Sequence, residues 1–203
     1  MNINMGCISN SRRGSGSIFA RFCLSIILLV LASIATGDTT PDDENSEYFF
    51  ACSGGELSKV KSLLESDPSL VHKTTKDGEH CLHLSALSGN AEIVKLLLEA
   101  GADPDVRSKW EQGLRMHPLS WSTFYGRHEI ITLLLEHGAD VNADFDLGPK
   151  NENGVAEKGT VLDVIEQILL GGVEDEEKQR FVETRNVLVK NDAVRYATLE
   201  PEL

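Results

Sequence analysis

A helical pattern bounded by glycines recurs along the chain and constrains the fold more than any other feature. Residues 89–101 read as an amphipathic helix between two glycines, and residues 126–138 repeat this pattern 37 positions later. A third copy, residues 55–65, begins 34 positions before the first. Each copy is too short to be stable alone and must bury its apolar face against neighbours. The pattern therefore predicts a stacked repeat protein.

The best-formed copy resembles the ankyrin repeat. Residues 80–86 read H-C-L-H-L-S-A and residues 89–103 read G-N-A-E-I-V-K-L-L-L-E-A-G-A-D, close to the family pattern. The resemblance continues over residues 117–142 and, more weakly, over 48–72, and Thr160-Val161-Leu162-Asp163 echoes the opening turn of a last unit. It implies an all-α fold, an ankyrin-repeat α-solenoid of about four helix-turn-helix units with β-hairpin or finger loops, and no cofactor.

The domain boundaries follow from the repeat spacing and from the composition of the flanking segments. We predict a leader at residues 1–37, an acidic linker at 38–46, an ankyrin repeat domain at 47–192 and a C-terminal tail at 193–203. The expected units lie at about 47–73, 74–106, 107–143 and 158–192, and a long finger loop occupies 143–159. Helical periodicity predicts two helices in the last unit, at 161–170 and 174–189.

The leader has the sequence features of a targeting segment. An almost wholly apolar run, residues 22–32, follows three arginines and precedes the small residues Ala35-Thr36-Gly37. The uncharged stretch from Phe22 to Gly37 is shorter than the roughly 20 residues that a spanning helix needs. We favour a cleaved secretory signal, with an uncleaved anchor and an organelle transit peptide as alternatives. An anchor would place the repeats on the lumenal or extracellular side, and only residues 18–37 would contact the membrane.

The charge balance excludes polyanionic partners for the folded part. The chain has 19 basic and 32 acidic residues, a formal net charge of −13. The leader holds three of the basic residues and no acidic one, so the chain after residue 37 has a formal charge of −16. Such a field repels nucleic acid and anionic lipid. We therefore expect a protein partner of unknown identity and no nucleic acid.

Two cysteines, Cys52 and Cys81, lie beyond the leader. In the repeat alignment Cys52 matches Ala86, five residues after Cys81. At about 1.5 Å per helical residue this offset is about 7.5 Å along the axis. Because the repeats also lie side by side, the separation exceeds what a disulfide tolerates. We predict free thiols, with Cys52 buried.

The partner-binding residues are predicted where the third unit departs from the pattern. The resemblance implies that finger tips and the ends of the short helices line a concave binding face. Residues 104–116 form a lengthened finger, and the short helix after it is rich in aromatic residues, which often anchor interfaces. The predicted binding residues are Trp110, Arg115, Met116, Phe124, Tyr125, His137, Lys76 and Glu79.

No residue pattern predicts catalysis or metal binding. His80 and His83 lie one turn apart with no further cluster of metal ligands near them in sequence, and the family turn accounts for His83. We expect a non-catalytic protein-interaction module that binds through the concave groove and its finger loops. The alternatives are a regulatory subunit or inhibitor of an enzyme that uses the 104–116 finger, a membrane-anchored scaffold, and an enzyme that uses His117 and His128.

Overall fold

The structure is a computed structural model that describes residues 45–76, 78–109, 115–147 and 156–196. Our predictions for the leader, for the linker up to residue 44, for Trp110 and for the middle of the long finger loop concern residues outside these ranges. Within them, no helix combines the length and the apolar character that crossing a bilayer requires.

The described helices form two parallel rows. The inner row contains four short helices, namely α1 (Ser46–Gly54), α3 (Cys81–Ser88), α5 (Pro118–Phe124) and α7 (Val161–Leu170). The outer row contains α2 (Leu57–Ser66), α4 (Ala91–Glu99), α6 (His128–Glu136) and α8 (Asp175–Lys190). Each helix packs against its partner within the unit and against the next helix of its own row. The prediction of an all-α ankyrin-type solenoid is confirmed.

Glycines end the inner helices of the first three units. Gly55, Gly89 and Gly126 adopt φ values of 77°, 87° and 63°, and we call them the junction glycines. In this left-handed conformation a side chain is strained, so glycine lets the chain turn directly from the inner to the outer helix. The same conformation at Gly101 and Gly138 follows the outer helices, as the G-A-D motif predicts.

Loops that we call fingers connect each outer helix to the next inner helix. In the first unit, α2 ends at Ser66 and is followed by Asp67, whose carboxylate accepts a hydrogen bond from the Ser69 N–H over 2.9 Å. A short 3-10 helix, Pro68–His72, then leads into finger 1 (residues 73–80). Finger 2 spans 103–116 and finger 3 spans 140–160. The base of finger 3 is a two-residue antiparallel pairing of β1 (Phe145–Asp146) with β2 (Lys158–Gly159).

The core lies between the two rows and is aliphatic in the middle of the stack. Of the five apolar residues whose spacing predicts the packing face of the second unit, Ile93, Val94, Leu97 and Leu98 are at most 6% exposed, whereas Leu96 is only partly buried. The last helix packs back through Phe181 and Leu188, whereas Val189 is 45% exposed. The final unit therefore covers the apolar end of the array.

The prediction of free thiols is wrong, because Cys52 and Cys81 form a disulfide. Their Cα atoms lie 5.6 Å apart, within the range that the bond requires. The alignment placed Cys52 opposite Ala86, but the Ser85 hydroxyl donates to the Cys52 carbonyl, and Cys81 lies one turn before Ser85 on the same face. Adjacent inner helices are therefore staggered, a displacement that the sequence offset alone does not contain.

The start of the predicted tail belongs to the folded stack. We call residues 192–196 the C-terminal strap. The Val194 carbonyl accepts a hydrogen bond from the Thr160 hydroxyl over 2.6 Å, and the Val194 N–H donates to Asn142 Oδ1 over 2.8 Å. The Tyr196 N–H donates to Asp163 over 2.9 Å. The tail boundary at 193 is therefore too early, because Val194 and Tyr196 are hydrogen-bonded to finger 3 and α7.

Candidate functional site

Successive fingers contact one another through hydrogen bonds and an ion pair, and we call the three together the finger row. In finger 1, Thr74 and His80 form an isolated antiparallel bridge. The Lys109 N–H of finger 2 lies 3.4 Å from the Gly78 carbonyl of finger 1, and a Cβ at Gly78 would come within 2.6 Å of the Lys109 nitrogen. The two fingers therefore approach closely only because residue 78 is glycine.

Two buried histidines fix the finger bases to the inner helices. His83 Nδ1 accepts a hydrogen bond from the His80 N–H over 3.1 Å, and its Nε2–H donates to the Met116 carbonyl over 3.1 Å. His117 Nδ1 accepts from the Ser120 hydroxyl over 2.9 Å, and its Nε2–H donates to a carbonyl of finger 3 over 3.3 Å. Each imidazole therefore links its own unit to the finger of the next.

Burial keeps both imidazoles neutral. It lowers the pKa of His83 to about 3 and that of His117 to about 4. Glu79 Oε2 lies 3.6 Å from His83 Nδ1, but this nitrogen is already an acceptor for a backbone N–H, so the contact is not an ion pair. Both rings are occupied in structural hydrogen bonds within the chain.

An ion pair and a hydrogen bond join finger 2 to finger 3. Asp144 of finger 3 pairs with Arg107 of finger 2 over 3.2 Å and with Lys158 within its own finger, and the hydrogen bond from Lys158 is the main cause that lowers the pKa of Asp144. Both carboxylate oxygens of Asp105 accept from the Asp140 N–H at 3.0 Å. Burial raises the pKa of Asp105, and this hydrogen bond opposes the rise. The finger row is thus held together before any partner binds.

Three of the predicted binding residues are exposed. Lys76 lies in finger 1, Arg115 lies at the end of finger 2, and His137 follows α6, where its Nδ1–H donates to the Leu133 carbonyl over 2.8 Å. Arg115 has a φ of 45°, a left-handed conformation that is uncommon for a residue with a side chain. These three side chains lie on the same end of the stack as the fingers, as the prediction requires.

The other predicted residues are placed differently. Phe124 and Tyr125 are half-buried, and the Phe124 ring packs edge-on against Phe145 with centroids 6.5 Å apart. Met116 is 2% exposed and Glu79 is 8% exposed, so neither side chain faces a partner in this structure. Met116 is apolar and contributes to the core, and Glu79 is enclosed beside His83.

Sequence reasoning missed the residues that organise the row. The sequence places Arg107 in the lengthened finger 104–116 and both Asp144 and Lys158 in the long finger loop 143–159, without indicating which charges pair. The opposite charges of Arg107 and Asp144 on neighbouring fingers were the available signal. Across the four described ranges, no three His, Cys, Asp or Glu side chains come together in a way that could hold a metal ion.

Comparisons with known proteins agree with the geometry. Residues 36–144 match the family profile described as ankyrin repeats in three copies. The chain is 41% identical over 56 residues to the serine/threonine-protein kinase VIK of Arabidopsis thaliana, and 33% identical over 70 residues to the E3 ubiquitin-protein ligase XB3 of Oryza sativa subsp. japonica. It is 36% identical over 77 residues to the ankyrin repeat and SAM domain-containing protein 6 of Danio rerio.

These alignments cover 28%, 34% and 37% of this chain, but only 13%, 16% and 10% of the respective relatives. The chain therefore spans less than a fifth of the length of each of these relatives. The family match covers more than half of the chain and coincides with the first three helix pairs and the start of finger 3. The chain therefore belongs to the ankyrin repeat family.

Proposed function

We propose that this chain is a non-catalytic protein-binding module whose partner contacts the finger row and the adjoining ends of the inner helices. Ankyrin repeats indicate protein–protein interaction, and one observation carries the finer proposal. The fingers are joined to one another by the Lys109–Gly78 hydrogen bond, by the Arg107–Asp144 ion pair and by the hydrogen bond from the Asp140 N–H to Asp105. A preformed surface loses little conformational entropy when a partner binds.

A non-catalytic role is supported by what the histidines do. His83 and His117 have both ring nitrogens occupied by hydrogen bonds and are held neutral by burial. His128 Nδ1 lies 3.7 Å from Glu183 on α8. A general base needs a free nitrogen within reach of a substrate proton, and the two buried rings offer none.

We propose that the repeats act in the secretory pathway or outside the cell. The Cys52–Cys81 disulfide supports this location, because disulfides persist in oxidising compartments and are rare in the cytosol. The leader predicted at residues 1–37 supports it independently. Mass spectrometry of the mature N-terminus distinguishes the alternatives. A start near residue 38 is expected for a cleaved signal, and an intact Met1 in a membrane fraction would indicate the anchored scaffold instead.

Site-specific photo-crosslinking tests the finger row. A photoreactive phenylalanine analogue replaces Arg115 in the full chain, and the same analogue replaces Lys61 as a control. Both side chains are exposed, but Lys61 lies on α2, away from the fingers. We expect covalent adducts to a discrete partner from position 115 and none from position 61. Adducts of equal yield at both positions, or none at either, would contradict the finger row as the binding surface.

A further inference from the structure

Each junction glycine is covered by a side chain from the following unit. A Cβ at Gly55 would come within 2.8 Å of Asn90 Oδ1, and one at Gly89 would come within 2.8 Å of Arg127 Cζ. Asn90 and Arg127 each follow the junction glycine of their own unit, so they hold the same position in the repeat. Because each junction glycine lacks a side chain, the side chain of the following unit packs directly against the glycine backbone.

The two equivalent covering side chains differ in whether their donors are satisfied. Asn90 Nδ2 donates to the Cys52 carbonyl over 3.2 Å, so the amide is bonded to the unit below. Arg127 Nε is buried without a hydrogen-bond partner, and no described carboxylate pairs with its guanidinium. Buried donors in folded proteins are nearly always bonded, so this unpartnered Nε–H requires an explanation.

Three neighbours of Arg127 also carry buried polar atoms without a hydrogen-bond partner. These atoms are the Tyr125 hydroxyl, His128 Nδ1 and Arg180 Nε. Arg180 covers Gly126 from α8, with its Cγ 2.8 Å from the position of a Cβ. Tyr125 and both arginines are hydrogen-bond donors, so what they lack is an acceptor. We call these four residues the junction cluster.

The electrostatics of the junction cluster favour an anion. Burial lowers the pKa of Arg127, and the neighbouring positive charge of Arg180 lowers it further. Burial also raises the pKa of Tyr125 to about 12, so its hydroxyl remains a neutral donor. Arg180 pairs with Glu177 over 3.0 Å, and His128 lies 3.7 Å from Glu183. Within the junction cluster, Arg127 is therefore the cation that no carboxylate of the described residues pairs with.

We propose that the junction cluster is a binding site for one carboxylate of a partner protein, with the Arg127 guanidinium as its principal contact. A guanidinium presents paired donors that match the two oxygens of a carboxylate, and such bidentate pairs are among the stronger hydrogen-bonded contacts. The Tyr125 hydroxyl adds a neutral donor beside it. The site lies at the opposite end of the inner helices from the fingers, since α5 runs from the finger base at Pro118 to Phe124.

The net charge of the chain determines what can carry that carboxylate. A formal charge of −13 repels a polyanion such as nucleic acid, whereas a single carboxylate on a neutral or basic segment meets a local cation. The occupant is therefore a Glu, Asp or C-terminal residue within a segment that is otherwise uncharged or basic. This inference rests on the proposed function in one respect only, namely that the partner is a protein.

Nuclear magnetic resonance of the full chain tests the site without knowledge of the partner. The probes are the peptide acetyl-Lys-Gly-Glu-Gly-Lys-amide and its counterpart with Gln in place of Glu. We expect the Glu peptide to move the Nε–H resonance of Arg127 saturably, with a Kd on the order of 1 mM for a single charge-assisted contact. The Gln peptide should bind at least about tenfold more weakly, which corresponds to about 1.4 kcal/mol.

Variants separate the site from general charge effects. Arg127→Gln should abolish the response, and Arg127→Lys, which keeps the charge and the covering stem, should reduce it because the paired donors are lost. Lys61→Gln makes the same change in net charge on a remote helix and should leave the response intact. If one Arg127 variant fails to fold, as judged from its amide spectrum, the response of the other variant to the Glu peptide tests the proposal.

Two results would overturn the inference. The first is an equal response to the Glu and Gln peptides, or a response that survives in both Arg127 variants. The second is a tighter response to inorganic phosphate than to acetate at matched ionic strength, which would assign the site to phosphate. Neither result bears on photo-crosslinking from position 115, so this inference and the proposed function can fail separately.

Discussion

The Cys52–Cys81 disulfide gives the sharpest prediction about stability, since it joins the first unit to the second. Both cysteines are 0% exposed and are separated by 29 residues in sequence. Loop-closure entropy in the unfolded chain assigns about 3.6 kcal/mol to a bond that closes a loop of this length. We expect Cys52→Ala to remove about this amount from the free energy of unfolding, and to lower Tm by roughly 7–14 °C.

The loss should be confined to one end of the stack. In a linear array each unit contacts only its neighbours, so α1 and α2 depend on their interface with the second unit. Hydrogen exchange in Cys52→Ala should therefore lose protection in α1 and α2, while α4 and α6 keep theirs. The double variant Cys52→Ala/Cys81→Ala should have a free energy of unfolding less than about 1 kcal/mol below that of Cys52→Ala, because the single variant already lacks the cross-link.

Peptide mapping without reduction supplies the refuting result. Full-length protein produced through an oxidising secretory pathway should yield a cross-linked peptide that contains Cys52 and Cys81, and reduction should separate it with a gain of two hydrogen atoms. This readout is independent of the other two cysteines, Cys7 and Cys23. If both peptides appear unlinked and alkylated without reductant, the free-thiol prediction was right and the stagger of the inner helices is misplaced.

Three further perturbations address the finger row and the end of the array. Phe145→Ala should cost about 3–5 kcal/mol in urea unfolding, because Phe145 is 0% exposed between Phe124 and His117, whereas Phe50→Ala, at 39% exposure, should cost much less. Because the folded-state pKa of His83 is lowered to about 3, the unfolded chain binds more protons below about pH 6.5, and stability falls as the pH drops. Between pH 6 and 4.5, His83→Gln should reduce this slope by up to about 1.4 kcal/mol per pH unit in urea titrations, and an unchanged slope would show that the imidazole is already charged. Thr160→Val leaves the Val194 carbonyl unpaired and should cost about 1–3 kcal/mol and release the C-terminal strap in hydrogen exchange, whereas Thr132→Val, whose half-buried hydroxyl bonds only the His128 carbonyl of its own helix, should cost under about 0.5 kcal/mol.

The helices of this fold can be predicted from the sequence because the residues that determine them lie close together along the chain. The helix predicted at 161–170 is observed as Val161–Leu170, and the one predicted at 174–189 is observed as Asp175–Lys190. Glycines with positive φ mark the helix ends, and apolar spacing marks the buried faces. These features depend on residues within a few positions of one another, and a single repeat contains them all.

The errors concern relations between units. The disulfide was missed because the stagger of adjacent inner helices depends on how whole units pack, and the alignment carries no information about it. Met116 was predicted as a surface anchor because it lies in a long finger, yet its carbonyl bonds His83 and its side chain is buried. Most of the C-terminal strap is predicted as part of a tail because the sequence of residues 192–196 does not resemble a repeat. In each case the deciding contact joins residues more than 25 positions apart.

The junction positions show how a repetitive scaffold acquires a distinctive site. One position, the residue after the junction glycine, is occupied by Asn90 in the second unit and by Arg127 in the third. In the second unit, Asn90 Nδ2 donates a hydrogen bond to the Cys52 carbonyl of the unit below, so this donor is not available to a partner. In the third unit, the Arg127 guanidinium packs over Gly89, and its Nε–H has no hydrogen-bond partner. Because the backbone at the two positions is alike, with φ values of −86° and −88°, exchanging Asn for Arg at position 90 should transfer part of the carboxylate binding that we propose for Arg127.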